Sequence, residues 1–460
     1  MPFHEKLLCV TALIITSLLL PSVSAAPIPI EQTMSVRYSV NSWTTENIPQ
    51  QQLLEVLQSA YGYRQSHRSV PQFGSDYSLV LYTVNATATY RYVPEQNALV
   101  IHDLTATKAT IAPHITQSFV VTANTVIIVV WNQTRMNNQY YASAEAGLLV
   151  QNAALSAITL NLGTHCVAMI NSDGLRSDLG LASSMTPLLV LPLGYMASSY
   201  ASASPDYTRM TGNLPLVQYS QMSFADSLNN LLYAQAWSDQ TLTTQELSQL
   251  LWAAYGHSTT GHRTVPSAVG IYPLKIYVSN ATGIYGYTPG SHSVTASAQG
   301  DKRLEIANAC GGETWAANAP TIFIIAYDSS LGGDGGIVPH EWIEADAGCV
   351  VQQILLEASA WTLSGNIVSR GLEDWNGAGA GTIRTILSLP SSLIPLYVIP
   401  VGHDGVIPEF PPFLMLPVFV ILTLIAVMLY KKQPWTMPRR RYSKQVEMSP
   451  AQPLFFFVIQ

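Results

Sequence analysis

Between residues 247 and 277 the apolar and polar positions predict an amphipathic helix, a polar loop, a compact turn and a strand, in that order. Residues 52–82 repeat this pattern. Tyr61-Gly62 answers Tyr255-Gly256, and His67-Arg68-Ser69-Val70-Pro71 answers His262-Arg263-Thr264-Val265-Pro266. The chain therefore reads as two copies of one domain.

Extending the comparison gives repeat one over 35–196 and repeat two over 223–402. In repeat one the pattern predicts a helix or turn at 37–43, a helix at 50–60, strands at 79–84 and 90–92, a buried strand at 125–131, a long helix at 143–160 and a closing strand at 188–192. Repeat two follows with a helix at 244–254, strands at 274–278 and 281–287, a buried strand at 321–327, a long helix at 344–360 and a strand at 395–400. This is an α+β class, a mixed or antiparallel sheet flanked by helices in each repeat. Residues 197–222, rich in Ser, Ala, Pro and Gly at their start, read as an exposed linker, and 403–412 as a second one. A duplicated fold tied into one chain implies a pseudo-twofold intrachain dimer, complete as a monomer, with any site at the seam drawing on both halves.

Composition supports the buried seam. Of 460 residues 48% are hydrophobic and only 11% charged, and the formal charge of −7 excludes a basic nucleic-acid binder. Lys6, the apolar run 7–20 and the small residues 22–26 have the layout of a signal peptide over 1–26. Residues 413–430 are uncharged and apolar over a length that can cross a bilayer core of about 30 Å. Lys431, Lys432 and Arg439–Arg441 follow, so the expected topology is a single-pass transmembrane helix with the body outside and residues 431–460 in the cytoplasm. Of the cysteines left after the signal peptide, Cys310 and Cys349 are candidates for a disulfide, with Cys166 over. No metal-ligand spacing occurs. Asn85, Asn132 and Asn280 each open an Asn-x-Thr triplet, the first and last at equivalent places in the two repeats.

Leu250-Leu251-Trp252-Ala253-Ala254-Tyr255-Gly256, followed by Gly261-His262-Arg263-Thr264-Val265-Pro266-Ser267-Ala268-Val269-Gly270-Ile271-Tyr272-Pro273-Leu274, resembles the nitroreductase family, and most closely its SagB-type dehydrogenase branch. Glu145-Ala146-Gly147 with Gln151-Asn152, and Asp346-Ala347-Gly348 with Gln352-Gln353, are similar to a second family feature. The Pro408-Glu409-Phe410 box resembles that of archaeal sorting anchors.

The resemblance implies FMN at the seam and hydride transfer to or from a small-molecule or peptide substrate. In the family an Arg/Ser stretch of one subunit and a PSAG-type turn of the other meet the same flavin. Repeat one keeps Arg37 and Ser39, with Asn41 in place of a second Arg; repeat two has Leu231–Gln235 there. The turn shows the reverse, intact as Pro266, Ser267, Ala268 and Gly270 and degraded to Pro71–Ser75 in repeat one. One composite site per chain is thus expected, with its symmetry mate decayed, and the loop 165–171 lying along the flavin. The alternative is a degenerate surface module that keeps the fold as a binding scaffold. Arg68 and Arg263 are either surface charges or groups near the phosphate. His262 is either acid–base or merely polar, and Glu145 and Asp346 are either helix-start acids facing the dipole, the preferred reading, or catalytic carboxyls. The 331–336 glycine cluster lacks the context of a dinucleotide loop.

Overall fold

The computed structural model describes residues 28–405 apart from 65, 66, 75, 332–337, 369 and 376. The signal peptide, the 406–412 part of the second linker, the membrane segment and the basic tail lie outside the described residues. Among the described residues no helix is long and apolar enough to cross a membrane.

Each repeat is built on a six-stranded, wholly antiparallel sheet. In repeat one the strands are β1 (Leu79–Val84), β2 (Thr89–Val93), β3 (Ala98–Asp103), β4 (Thr125–Asn132), β5 (Leu162–Thr164) and β6 (Met185–Tyr195), in the order β3-β2-β1-β4-β6-β5. Repeat two reproduces that order with β7 (Leu274–Asn280), β8 (Gly283–Thr288), β9 (Ser293–Gln299), β10 (Thr321–Asp328), β11 (Ser364–Gly365) and β12 (Leu393–Gly402) as β9-β8-β7-β10-β12-β11. The central strands are continuous apolar runs because both sheet faces are covered. Ile127, Val129 and Trp131 of β4 face the core shared by the repeats, while Val126, Ile128 and Val130 face a smaller outer core.

The shared core is organised by two 21-residue helices, α3 (Gln139–Thr159) and α6 (His340–Ala360), buried on nearly all sides. α1 (Ile30–Val36), α2 (Gln50–Tyr61), α4 (Phe224–Asn229) and α5 (Thr244–Tyr255) complete the layer. α3 and α6 begin four residues before the sequence pattern predicts. Their first turns, Gln139-Tyr140 and His340-Glu341, are polar or amphipathic and break the apolar period, while Asn138 caps α3 by accepting from Tyr141 N–H at 3.1 Å.

α3 and α6 cross at glycines. A Cβ on Gly147 would stand 2.0 Å from the carbonyl oxygen of Ala345, and one on Gly348 would stand 2.0 Å from that of Ala144. The Cys349 thiol donates to the Gly147 carbonyl at 3.2 Å across the same crossing. The two backbones touch, as the absence of side chains at both points allows.

Three expectations change. The predicted helix or turn at 37–43 is extended chain, because the helix lies earlier as α1, and Trp43 bridges to Met196. The predicted Cys310–Cys349 disulfide is absent: both are free and buried on opposite faces of the second sheet, Cys310 with Ile322 and Ile324, Cys349 with Phe323 and Ile325. The linker does not hang free either. Leu214 and Val217 are buried, and Ser220 donates through its N–H (2.8 Å) and hydroxyl (3.1 Å) to the Glu31 carboxylate.

Gly147→Ala is expected to destabilise the fold by about 1–3 kcal/mol, since a methyl there forces the helices apart. Gly381→Ala, inside the helix Ala378–Ile386 with nothing within 4 Å of the new methyl, is expected to be neutral or to stabilise by about 0.5–1 kcal/mol. Denaturation midpoints of the two variants check the contrast, and equal midpoints would refute the backbone-contact account.

Candidate functional site

One cavity of about 720 Å³ opens at the seam between the repeats. Repeat one supplies Arg37, Ser39, the α3 positions Ser143, Ala146, Gly147 and Val150, the loop 165–170 and part of β6. Repeat two supplies Pro266–Gly270, Tyr272 and the α6 positions Ala345, Asp346 and Cys349. Six of the seven sequence-predicted site residues, Arg37, Ser39, Pro266, Ser267, Ala268 and Gly270, therefore lie on one cavity. Asn41 does not line it and is exposed further along the extended segment.

Arg37 is 4% exposed. Its Nε donates to Thr264 O at 3.2 Å, and its Nη2 to Arg263 O at 3.0 Å and Val265 O at 3.4 Å, three carbonyls of the opposite repeat. Among the described residues no carboxylate acts on it, and burial lowers its pKa from the ordinary arginine value. A buried cation neutralised only by carbonyl dipoles keeps a strong preference for an anion.

The Gln-Asn and Gln-Gln pairs on the long helices hold the same turns from below. Thr264 O also accepts from Gln151 Nε2 at 3.2 Å and Gln353 Nε2 at 3.1 Å, and Ser69 O, its counterpart, accepts from Asn152 Nδ2 at 2.9 Å and Gln352 Nε2 at 3.3 Å. Each helix thus ties down both repeats.

Glu145 and Asp346 are each the seventh residue of their helix, so a helix-start role is corrected by the longer helices. Asp346 accepts from Ser267 Oγ at 2.7 Å and from Ala268 N–H at 3.0 Å, while Ser267 Oγ accepts from Tyr272 N–H at 3.0 Å. The turn so fixed places Val269 at φ 47° and Gly270 at φ 73°. Glu145 does the same for its own repeat, accepting from Ser78 Oγ at 2.6 Å and from the Tyr61 hydroxyl. Burial pushes both carboxyls up to about 7, against the hydrogen bonds that pull them down.

Arg68 and Arg263 are structural cations rather than surface charges. They donate to Tyr61 O at 2.8 Å and Tyr255 O at 3.0 Å, capping α2 and α5, and lie against tyrosine rings: Tyr63 at 4.4 Å and Tyr77 at 4.8 Å for Arg68, Tyr255 at 4.7 Å and Tyr272 at 4.9 Å for Arg263. His262 lines the cavity and stacks on Tyr38 at 5.7 Å, and burial lowers its pKa. His165 is also lowered by burial, and its Nδ1 lies 3.1 Å from Val40 O, leaving Nε2 as the acceptor.

The pseudo-equivalent position on the other side of the crossing is filled. Phe73 stands where repeat two has Ala268, and it packs fully buried against Tyr141 and Tyr397. Glu344, at the place of Ser143, accepts from both the Tyr397 hydroxyl and the Trp375 indole N–H. Leu231 replaces Arg37, and Tyr233 replaces Ser39, its hydroxyl donating to Arg68 O at 3.2 Å. Sequence reasoning missed the wall residues Cys349 and Trp342, whereas Cys166 falls in the loop 165–171 that it had placed there. Cys349 alone gave a signal, and it pointed to pairing with Cys310.

The model of the nitroreductase family matches residues 34–195 and again 235–403. A protein of Methanocaldococcus jannaschii provisionally named a nitroreductase is 30% identical over 204 residues, covering 42% of this chain and 97% of that one. A crystal structure of an Anabaena variabilis protein, also provisionally named a nitroreductase, superposes with a TM-score of 0.63 at 15% identity, covering 84% of this chain and 93% of that one. An FMN-dependent nitroreductase from Clostridium difficile covers 39% of this chain and 87% of its own at 21% identity and a TM-score of 0.29. With a match in both repeats that together take in most of its length, the chain belongs to the nitroreductase family as a tandem duplication.

Proposed function

We propose that this chain is an FMN-dependent oxidoreductase with one flavin site, at the seam cavity, and that its body stands outside a membrane to which residues 413–430 anchor it. The observation that carries the reading is Arg37: a buried guanidinium with no carboxylate acting on it among the described residues, lining a cavity of a size usual for cofactors. The residues present fit the cofactor. Arg37 and Ser39 would hold the phosphate, and the Ser267–Gly270 turn together with the 165–170 loop would wall the ring. Bound there, the flavin would supply two-electron hydride chemistry. The chain's own part is to orient, to exclude water through Ala146, Val150 and Leu189, and to keep His165 and His262 neutral near pH 7.

The finer placement in the SagB-type branch rests on the 250–256 and 261–274 motifs. Outside the cell reduced nicotinamide is not supplied, which favours a quinone, a redox protein or direct dehydrogenation of the substrate. The degenerate-scaffold reading predicts a colourless body. An absorption spectrum of the purified chain, incubated with excess FMN and then freed of unbound flavin, separates the two, and no flavin signal would remove the enzyme.

Arg37→Ala is expected to weaken FMN binding about ten- to a hundredfold, the worth of a charged hydrogen bond of about 1.5–3 kcal/mol, whereas Leu231→Met leaves it unchanged. Flavin titrations on both variants, with melting curves taken without flavin, check this. Equal losses would refute the single site.

Asp346 is a positioning residue for the turn. Because its folded pKa, about 7, lies above the ordinary 3.8, its contribution to stability is full below about pH 4 and is lost as pH rises through about 7. Asp346→Asn is expected to flatten the fall in melting temperature between pH 4 and pH 7 and to weaken flavin binding several-fold. An unchanged pH slope in calorimetry would show that Asp346 does not titrate there.

A further inference from the structure

The three Asn-x-Thr triplets play no part in the seam cavity, yet each is built the same way. Asn85 Oδ1 accepts from Thr87 N–H and Thr87 Oγ, both at 2.9 Å. Asn132 Oδ1 accepts from Thr134 N–H at 3.1 Å and Oγ at 2.7 Å, and Asn280 Oδ1 from Thr282 N–H at 2.9 Å and Oγ at 2.7 Å. Two donors aimed at one atom fix that atom as the oxygen. The amide nitrogen of each Asn then points away from the turn, and none of the three makes a hydrogen bond among the described residues. All three Thr are exposed.

The turn itself has no need of an amide. The chain makes the same turn with carboxylates: Asp103 accepts from Thr105 N–H at 2.6 Å and Oγ at 2.7 Å, and Asp206 from Thr208 N–H at 3.2 Å and Oγ at 2.6 Å. An acid is the stronger acceptor for those donors. At the three triplets the NH2 group is therefore surplus to folding. Asn132 and Asn280 end β4 and β7, and Asn85 follows β1, so all three stand at sheet ends. Asn85 and Asn280 keep this feature at equivalent positions although the flavin-facing residues of the two repeats have diverged. Asn85 also borders a polar cleft of about 610 Å³, lined by Thr44, Asn47, Thr83 and Asn124, with room beside the amide.

We propose that Asn85, Asn132 and Asn280 carry N-linked glycans. The inference rests on the extracytoplasmic placement of the body and is independent of the flavin. In the transfer, the Asn Nδ2–C1 bond forms as the bond from sugar C1 to the phosphate oxygen of a lipid-linked oligosaccharide breaks. The Nδ2 proton goes to the transferase base, and the lipid phosphate is the leaving group. No electron is gained or lost.

The test uses the full chain purified from membranes of the cells that make it. Peptide mass spectrometry is expected to find the peptides containing residues 85, 132 and 280 with a saccharide mass added. Thr87→Ala, Thr134→Ala and Thr282→Ala, which keep each Asn but remove the acceptor triplet, are each expected to lower the intact mass by one glycan. Melting temperature within about two degrees of the unsubstituted chain shows that each variant folds. Protease accessibility of the body on intact cells is measured in parallel. A body exposed outside, with all three peptides at their unmodified mass, overturns the proposal, and a body protected inside overturns the topology on which it rests.

Discussion

The contact between two helix backbones at Gly147 and Gly348 sets the geometry of everything else. Because α3 and α6 meet without intervening side chains, residues one turn further along, Gln151, Asn152, Gln352 and Gln353, reach carbonyls in both repeats. Those carbonyls belong to the turns that carry Arg263-Thr264 and Arg68-Ser69. Moving the helices apart by a methyl group would unseat four buried amides at once, whose oxygens already lack partners. The duplicated fold is thus a closed unit and not two beads on a string, and the seam is its most constrained surface.

Duplication within one chain also releases the symmetry that a homodimer imposes. In a dimer of identical subunits, a bulky residue in the turn would fill both sites. Here Phe73 fills one position while Ala268 leaves its counterpart open, and Glu344, Tyr397 and Trp375 complete the plug with buried hydrogen bonds. The filled side gains apolar packing at no cost to the open one. Leu231 in place of Arg37 belongs to the same change, since a guanidinium facing an aromatic plug would have no anion to meet.

Much of this was legible in the sequence because duplication prints the same pattern twice. The 247–277 and 52–82 stretches gave the helix-turn-strand unit, and the complementary survival of Arg37-Tyr38-Ser39 and Pro266–Gly270 pointed to one shared cavity. Periodicity failed where polarity at an element's edge masked it. Gln139 and His340 hid the true helix starts, and that error in turn disguised Glu145 and Asp346 as end-of-helix acids. Asn41 was placed by motif register, yet the extended chain carries it past the cavity. The roles of Arg68 and Arg263 depended on tyrosines 5–9 residues away, contacts that no local pattern encodes.

The direction in which Arg37 points settles how the cavity is charged. Its donors are turned toward the carbonyls of 263–265, which anchor the head but leave its charge unneutralised, and the buried carboxyl in the same wall, Asp346, is committed to Ser267 and Ala268. Were Asp346 ionised and near enough to pair, Arg37 would be neutralised where it stands. Instead burial raises Asp346 toward its protonated form while Arg37, even with its pKa lowered, stays charged. The same desolvation acts on both groups but brings only the acid to about half-protonation near neutral pH, because arginine begins so far above it. A cavity walled by both repeats therefore holds one buried positive charge without any basic cluster, with Glu341 as the other acidic side chain on its lining.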